Sequence, residues 1–227
     1  MREKLIYVLG TAGLLLLVRN LYAMFFQLSD EESQGAIWRI FYFHLPAALV
    51  SMTAFYVGAG ASILYLVQKK PSVDRFAAAV NEIAMPFALM VLATGMIWAR
   101  IIWGVWWAWD HRLTSYLICI LLYFGYFLLR AAIDEPATRA RLSAVLSIFA
   151  ALDIVIVWKS IQWFRTQHPG PVLSIRDGGG MPPGWESLAY WNVLALGLIA
   201  VAFFLIRKRQ EDVQHEIDTL RRYAHAL

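Results

Sequence analysis

Six long apolar runs constrain this chain more than any other feature. They extend from about Leu5 to Phe26, Leu45 to Val67, Ala84 to Ile102, Leu113 to Leu129, Leu142 to Gln162 and Leu188 to Ile206. A helix needs about 20 apolar residues to cross a ~30 Å hydrocarbon core. The runs lack the alternation that marks the strands of a membrane barrel. Charged residues make up only 16% of the sequence, against about 25% in soluble domains. The expectation is an all-α integral membrane protein, a bundle of six transmembrane helices. The first run follows the charged start Met1-Arg2-Glu3-Lys4, but it is too long for a signal peptide and lacks a clear cleavage site.

Charge placement orients the bundle. Lys69, Lys70 and Arg75, then Arg130, Arg139 and Arg141, then Arg207, Lys208, Arg209, Arg221 and Arg222 lie in alternate connections and the tail. The first of the other connections is acidic, with Asp30, Glu31 and Glu32. The positive-inside rule then predicts that both termini are cytoplasmic. The outer loops become 27 to 44, 103 to 112 and 163 to 187. The net charge of +4 is thus a topology signal and not a nucleic-acid-binding stripe. Residues 1–206 are expected to form one six-span domain, and 207–227 a charged cytoplasmic tail with helical spacing of Val213, Ile217 and Leu220. Pro46 and Pro86 are expected near the starts of spans two and three, where a missing donor costs little. Pro71, Pro136, Pro169, Pro171, Pro182 and Pro183 fall in predicted loops.

A single cysteine, Cys119, excludes an internal disulfide and a cysteine metal site. The chain also lacks the Cys-x-x-Cys-His motif by which a cofactor can be attached covalently through thioethers. It also lacks the Gly-x-x-x-x-Gly-Lys-[Ser/Thr] phosphate loop of nucleotide-hydrolysing chains.

The second outer loop is the most informative segment. Trp103, Trp106, Trp107 and Trp109 crowd seven positions just before Asp110, His111 and Arg112. An interfacial aromatic belt explains one or two such rings but not four. If the stretch is a short outer-face helix, Trp103, Trp106, Trp107 and Asp110 share one face and form a flat aromatic platform. Such a platform suits a planar macrocycle at a membrane surface. Asp110 is expected to fix the loop by accepting backbone or indole donors, because an unpaired carboxylate there is costly.

Two histidines flank this loop in sequence order and stand just outside predicted spans, His44 before span two and His168 after span five. Alone, each reads as a hydrogen-bonded structural residue. Together they can supply two axial imidazoles to a haem iron. Arg39 and Arg112 are candidates to hold the propionates, since guanidinium matches carboxylate bidentately, although interfacial snorkelling explains them equally well. His111 adjoins the platform without a second supporting element. Arg19 and Lys159 lie toward span ends, where they can snorkel, whereas Asp153 is deeper and is expected to bond a neighbouring helix or line a haem path.

These residues resemble the haem-handling superfamily marked by a Trp-Trp-Asp motif, and within it the CcmC family. The resemblance rests on six spans, on Trp109-Asp110-His111-Arg112-Leu113-Thr114, and on the element from Arg39 to His44 and Pro46. The larger CcmF and CcsA members carry a different sequence after the aspartate. Where Asn-x-Pro and then Trp-Trp-Asn-Thr-Leu-His are common in the family, this chain has Asp153-Ile154-Val155 and Trp163-Phe164-Arg165-Thr166-Gln167-His168.

The resemblance implies axial ligation by His44 and His168, a cradle from Trp103 to Asp110, and propionate contacts at Arg39 and Arg112. It implies non-covalent haem b, a bacterial inner-membrane location with the site on the periplasmic side, and partners: CcmA, CcmB, CcmD and the haem chaperone CcmE. The expected function is non-enzymatic presentation of haem to that chaperone during cytochrome c maturation. A b-type electron-transfer cytochrome and a transporter moving haem across the bilayer remain the competing readings.

Overall fold

Local chemistry at the helix starts sets the frame on which everything else hangs. The computed structural model describes residues 2–170, 181 and 184–225, and the expected loop residues Pro171, Pro182 and Pro183 lie outside these. Six long helices run in order: α1 (Arg2–Phe26), α2 (Phe41–Gln68), α3 (Pro71–Ile102), α4 (His111–Ala132), α5 (Pro136–Trp163) and α6 (Trp185–His225). Each is long and apolar enough to cross a membrane. Even α4, with 22 residues, spans ~33 Å at about 1.5 Å per residue.

Pro71 and Pro136, expected in loops, instead open α3 and α5, where the missing N–H is not needed. The Glu135 carboxylate caps α5, accepting from Ala137 N at 2.9 Å and Thr138 N at 2.5 Å. Asp110 caps α4 in the same way through Leu113 N at 2.8 Å. α2 ends at Lys69, whose φ of 55° lies in the left-handed region, and the chain reverses there into α3.

Three further expectations need correction. Pro46 does lie near the start of α2, in its second turn, but Pro86 stands in the middle of α3, because both helices begin before their apolar runs do. Hydropathy detects the lipid-facing part of a helix and misses turns that carry Asp74, Arg75 and Glu82. His44 accordingly lies inside α2 and not in the preceding loop. Third, the tryptophan segment is not a helix: α3 stops at Ile102, Trp103 caps it through Ala99 O at 2.8 Å, and Gly104 takes φ of 75°. A φ in that region favours glycine and breaks the helical run. The short helix of the outer face is instead a 3-10 turn, Ala36–Ile40, in the first outer connection.

Within the bundle α2 packs against α3, α5 and α6, α4 pairs with α5, and α1 lies along α6. Small residues allow this close approach, as is usual where lipid supplies no hydrophobic drive between helices. Ala84 and Ala88 of α3 and Ala47 and Ala59 of α2 are buried. A Cβ at Gly58 would lie 2.0 Å from Asn81 Oδ1, so α2 and α3 meet there only because position 58 has no side chain. Asn81 also donates to Ser147 Oγ of α5 at 3.2 Å, and Asn20 of α1 donates to Asn192 of α6 at 3.2 Å. Phe55 stacks on Tyr123 with ring centroids 3.6 Å apart.

The two ends of the bundle differ in chemistry. One carries ion pairs: Arg130 grips Asp74 bidentately at 2.7 and 3.0 Å, Arg75 meets Asp212 at 3.2 Å, and Arg207 pairs with Glu82. The other end carries the tryptophan loop and a cavity.

Candidate functional site

The cavity has a volume of about 400 Å³ and opens among the first turns of α2, the last turns of α3, the start of α4 and the end of α5. That is within the range of small-molecule pockets. Its lining is mostly aromatic and aliphatic. Trp38, Phe41, Trp98, Trp103 and Trp107 supply rings, and Met52, Val91 and Ile161 supply aliphatic surface. Polar groups interrupt the apolar wall, among them Gln34, His44, Arg112, Gln167 and His168.

His44 projects from α2 beside α3. Its Nδ1 lies 3.0 Å from Thr94 Oγ1, and its ring meets Trp98 edge-on with centroids 5.9 Å apart. Trp98 is itself held, donating from Nε1 to Gln34 Oε1 at 2.7 Å and meeting Trp38 edge-on at 5.6 Å. Trp38 in turn stacks on Phe41 at 5.2 Å. This side of the cavity is therefore tied together from α2, α3 and the first outer connection with its 3-10 turn.

His168 comes from a loop and is held differently. Its Nδ1 donates to Pro169 O at 2.8 Å, since a carbonyl can only accept, which leaves Nε2 with the lone pair. Its backbone N donates to Thr166 Oγ1 at 3.1 Å. Burial first, and then the Arg112 charge, push its pKa down to about 4, against a smaller upward pull from the Pro169 carbonyl and Asp110. The ring is therefore neutral near pH 7 and able to serve as an iron ligand.

Asp110 joins these parts. Besides capping α4 with Oδ1, it accepts through Oδ2 from Thr166 Oγ1 at 2.5 Å and from Gln167 N at 3.1 Å. One carboxylate thus ties the tryptophan loop to the segment that carries His168. Its partners are backbone N–H groups and a hydroxyl, not indoles.

The structure brings together His44, His168, Trp103, Trp107 and Arg112 around one cavity. It does not bring the rest of the sequence-derived set to that lining. Trp106 is 56% exposed and Trp109 76%, with Trp109 edge-on to Trp107 at 5.8 Å. Arg39 is occupied elsewhere: Nε donates to Met24 O at 2.9 Å, Nη2 to Leu28 O at 3.1 Å, and Nη1 pairs with Asp30 at 2.5 Å. His111 packs on Phe164 with centroids 4.1 Å apart. Asp153 is buried in α5 with Oδ2 lacking a hydrogen-bond partner, and it too lies off the lining.

Trp38, Trp98, Thr94 and Gly95 were missed by sequence reasoning. A signal did exist for part of this set. Val91, Gly95, Trp98 and Ile102 recur at spacings of four, three and four, one stripe of a helix, and all four line the cavity.

A flat apolar macrocycle bearing carboxylates fits these residues on the structure's own terms. Two imidazoles reach one aromatic cavity, and Arg112 Nη1 is buried there without a partner. A buried unpaired guanidinium nitrogen is costly, and a ligand carboxylate would satisfy it. Among the described residues no three His, Cys, Asp or Glu side chains gather as a metal site, so a protein-ligated iron here would rely on the histidine pair.

The family model described as heme exporter protein C matches residues 1–223. The heme exporter protein C of Bradyrhizobium diazoefficiens is 36% identical over 219 residues, covering 96% of this chain and 80% of that protein. Those of Rhodobacter capsulatus and Escherichia coli are each 32% identical. The first covers 90% of this chain and 85% of the relative; the second covers 79% and 72%.

Proposed function

The chain belongs to the heme exporter protein C (CcmC) family, a haem-handling component of cytochrome c maturation, and from that premise we propose that it holds haem non-covalently in this cavity and presents it to a CcmE-like chaperone. The observation that carries the reading is the convergence of His44, His168 and Arg112, from three separate elements, on one tryptophan-lined cavity.

When bound, haem contributes an iron that takes two axial nitrogens and propionates that seek cations. His44 and His168 are the axial ligands in this reading. Trp103 and Trp107 cover the macrocycle, Arg112 receives a propionate, and Asp110 holds the His168 segment in place. Arg39 supports the first outer loop. Trp106 and Trp109 form an exposed rim against which a receiving protein docks.

The site faces the periplasm in this account, with both termini cytoplasmic. Helix polarity supports this, since Lys69, Lys70, Arg130 and Arg207 gather at the end opposite the tryptophan loop, as the positive-inside rule requires. Residues 1–206 act as the membrane domain and 207–227 as a charged cytoplasmic tail, helical as far as His225. The chain works as a haem-binding subunit beside CcmA-, CcmB- and CcmD-like partners, which supply any ATP hydrolysis.

The test is haem transfer between purified proteins. Haem-loaded protein mixed with an apo CcmE-like chaperone should deplete its own haem as the chaperone gains it. Haem that binds tightly but never reaches the chaperone would sink the presentation step and leave a resident cytochrome.

A further inference from the structure

We infer that Thr94 is a positioning residue that fixes the ring of His44, a residue of the cavity lining, in the Nδ1–H tautomer, which leaves the lone pair on Nε2. The Thr94 hydroxyl lies 2.6 Å from Met90 O and 3.3 Å from Val91 O, both carbonyls of its own helix. A hydroxyl has one proton to donate and two lone pairs to accept with. A carbonyl can only accept, so the short contact to Met90 takes that proton. Thr94 Oγ1 therefore meets His44 Nδ1, at 3.0 Å, as an acceptor.

The imidazole hydrogen sits on Nδ1, and the lone pair sits on Nε2. Bare backbone completes the fit, because a Cβ at Gly95 would lie 3.1 Å from His44 Cε1. A side chain there would press on the ring that Thr94 orients. The chain of donors runs from His44 through Thr94 to Met90, and the Val91 backbone carbonyl stands beside the same ring as a second acceptor, so both neighbours favour a hydrogen on Nδ1. Outer partners of this kind fix both tautomer and orientation of a metal-binding histidine.

The functional weight of Thr94 rests on the haem-binding reading, but its action on His44 does not. Two measurements separate them. In the apoprotein, 15N NMR of labelled histidine should show His44 wholly as the Nδ1–H tautomer in wild type and Thr94→Ser, and a tautomer mixture in Thr94→Val. In haem titrations, Thr94→Val should weaken affinity by about 10- to 100-fold, the usual effect of losing such a partner, with part of the ferric iron turned high-spin. Thr94→Ser should restore wild-type values.

An unchanged tautomer and affinity in Thr94→Val would overturn the inference, and so would equal losses in Val and Ser, which would mark a packing role. A wild type that shows the tautomer but takes up no haem would overturn the haem reading and leave the orienting contact standing.

Discussion

Thr166 donates its hydroxyl proton to Asp110 across 2.5 Å, joining the loop after α5 to the N-cap of α4. The same Thr166 oxygen accepts from the backbone of His168 at 3.1 Å. The aspartate of the tryptophan motif therefore acts on one histidine at two removes, and the two histidines differ in mounting. His44 is built into a helix and held by a second helix. His168 hangs on a loop that a single carboxylate secures.

That difference can be tested by cutting the tie. Thr166→Val should loosen the His168 segment, leaving only the Gln167 N–H on Asp110, and keep α4 capped, lowering haem affinity about 10-fold, the low end of the effect of losing such a partner, without changing helix content. Asp110→Ala removes both ties, so it should produce a larger loss, toward 100-fold, and also destabilise the start of α4 by ~1 kcal/mol. Haem titration beside thermal unfolding in detergent checks both. Equal affinity of Thr166→Val and wild type would remove the latch.

The tryptophans should divide into two groups. Trp107 lines the cavity, so Trp107→Ala should weaken haem binding by about 10- to 30-fold, the scale of losing one central aromatic contact. Trp106→Ala and Trp109→Ala, at exposed positions, should bind haem as wild type does yet slow its transfer to a chaperone. Quenching of tryptophan fluorescence reports the first effect, and stopped-flow transfer reports the second.

The arginines should divide as well. Arg112→Gln should lower affinity for haem but not for haem dimethyl ester, whose propionates carry no charge. Arg39→Gln should leave both affinities alone and destabilise the first outer loop by about 1–2 kcal/mol through its lost hydrogen bonds. Its ion pair adds little, because Asp30 is 60% exposed. Paired titrations with haem and its ester decide between the two assignments.

Acid should release His168. Its native pKa of about 4 lies below the ordinary value of 6.5, so the folded state prefers the neutral ring and the unfolded chain binds the proton first. The stability this gives is complete above about pH 6.5 and is lost as pH falls toward 4. NMR titration of the apoprotein should show the low midpoint, and Arg112→Gln should raise it. A midpoint near 6.5 in wild type would mean that the ring is not buried beside Arg112.

Much of this architecture is legible in the sequence for a plain reason: lipid imposes length and composition on each span, so averaging over about 20 residues finds it. The helix ends are not legible in that way. Phe41 to His44 and Pro71 to Ile83 are helical because they pack on protein or cap correctly, and hydropathy is blind to both. The tryptophan loop shows the same limit, since Gly104 and the Asp110 cap decide that it is not a helix. His44, His168, Trp103, Trp107 and Arg112 are recognisable as residue types suited to haem. That Arg39 is engaged by Met24 O and Leu28 O depends on tertiary contacts which no local pattern encodes. Trp98 and Thr94 escaped notice because an aromatic and a hydroxyl inside an apolar run look like ordinary core.

The most direct test of the central claim is the reduced optical spectrum of the detergent-purified protein, wild type beside His44→Ala and His168→Ala. The account predicts a b-type, two-imidazole spectrum in wild type that is lost or altered in each variant. A folded, haem-supplied wild type without that spectrum, or variants that both keep it, would contradict ligation by this pair.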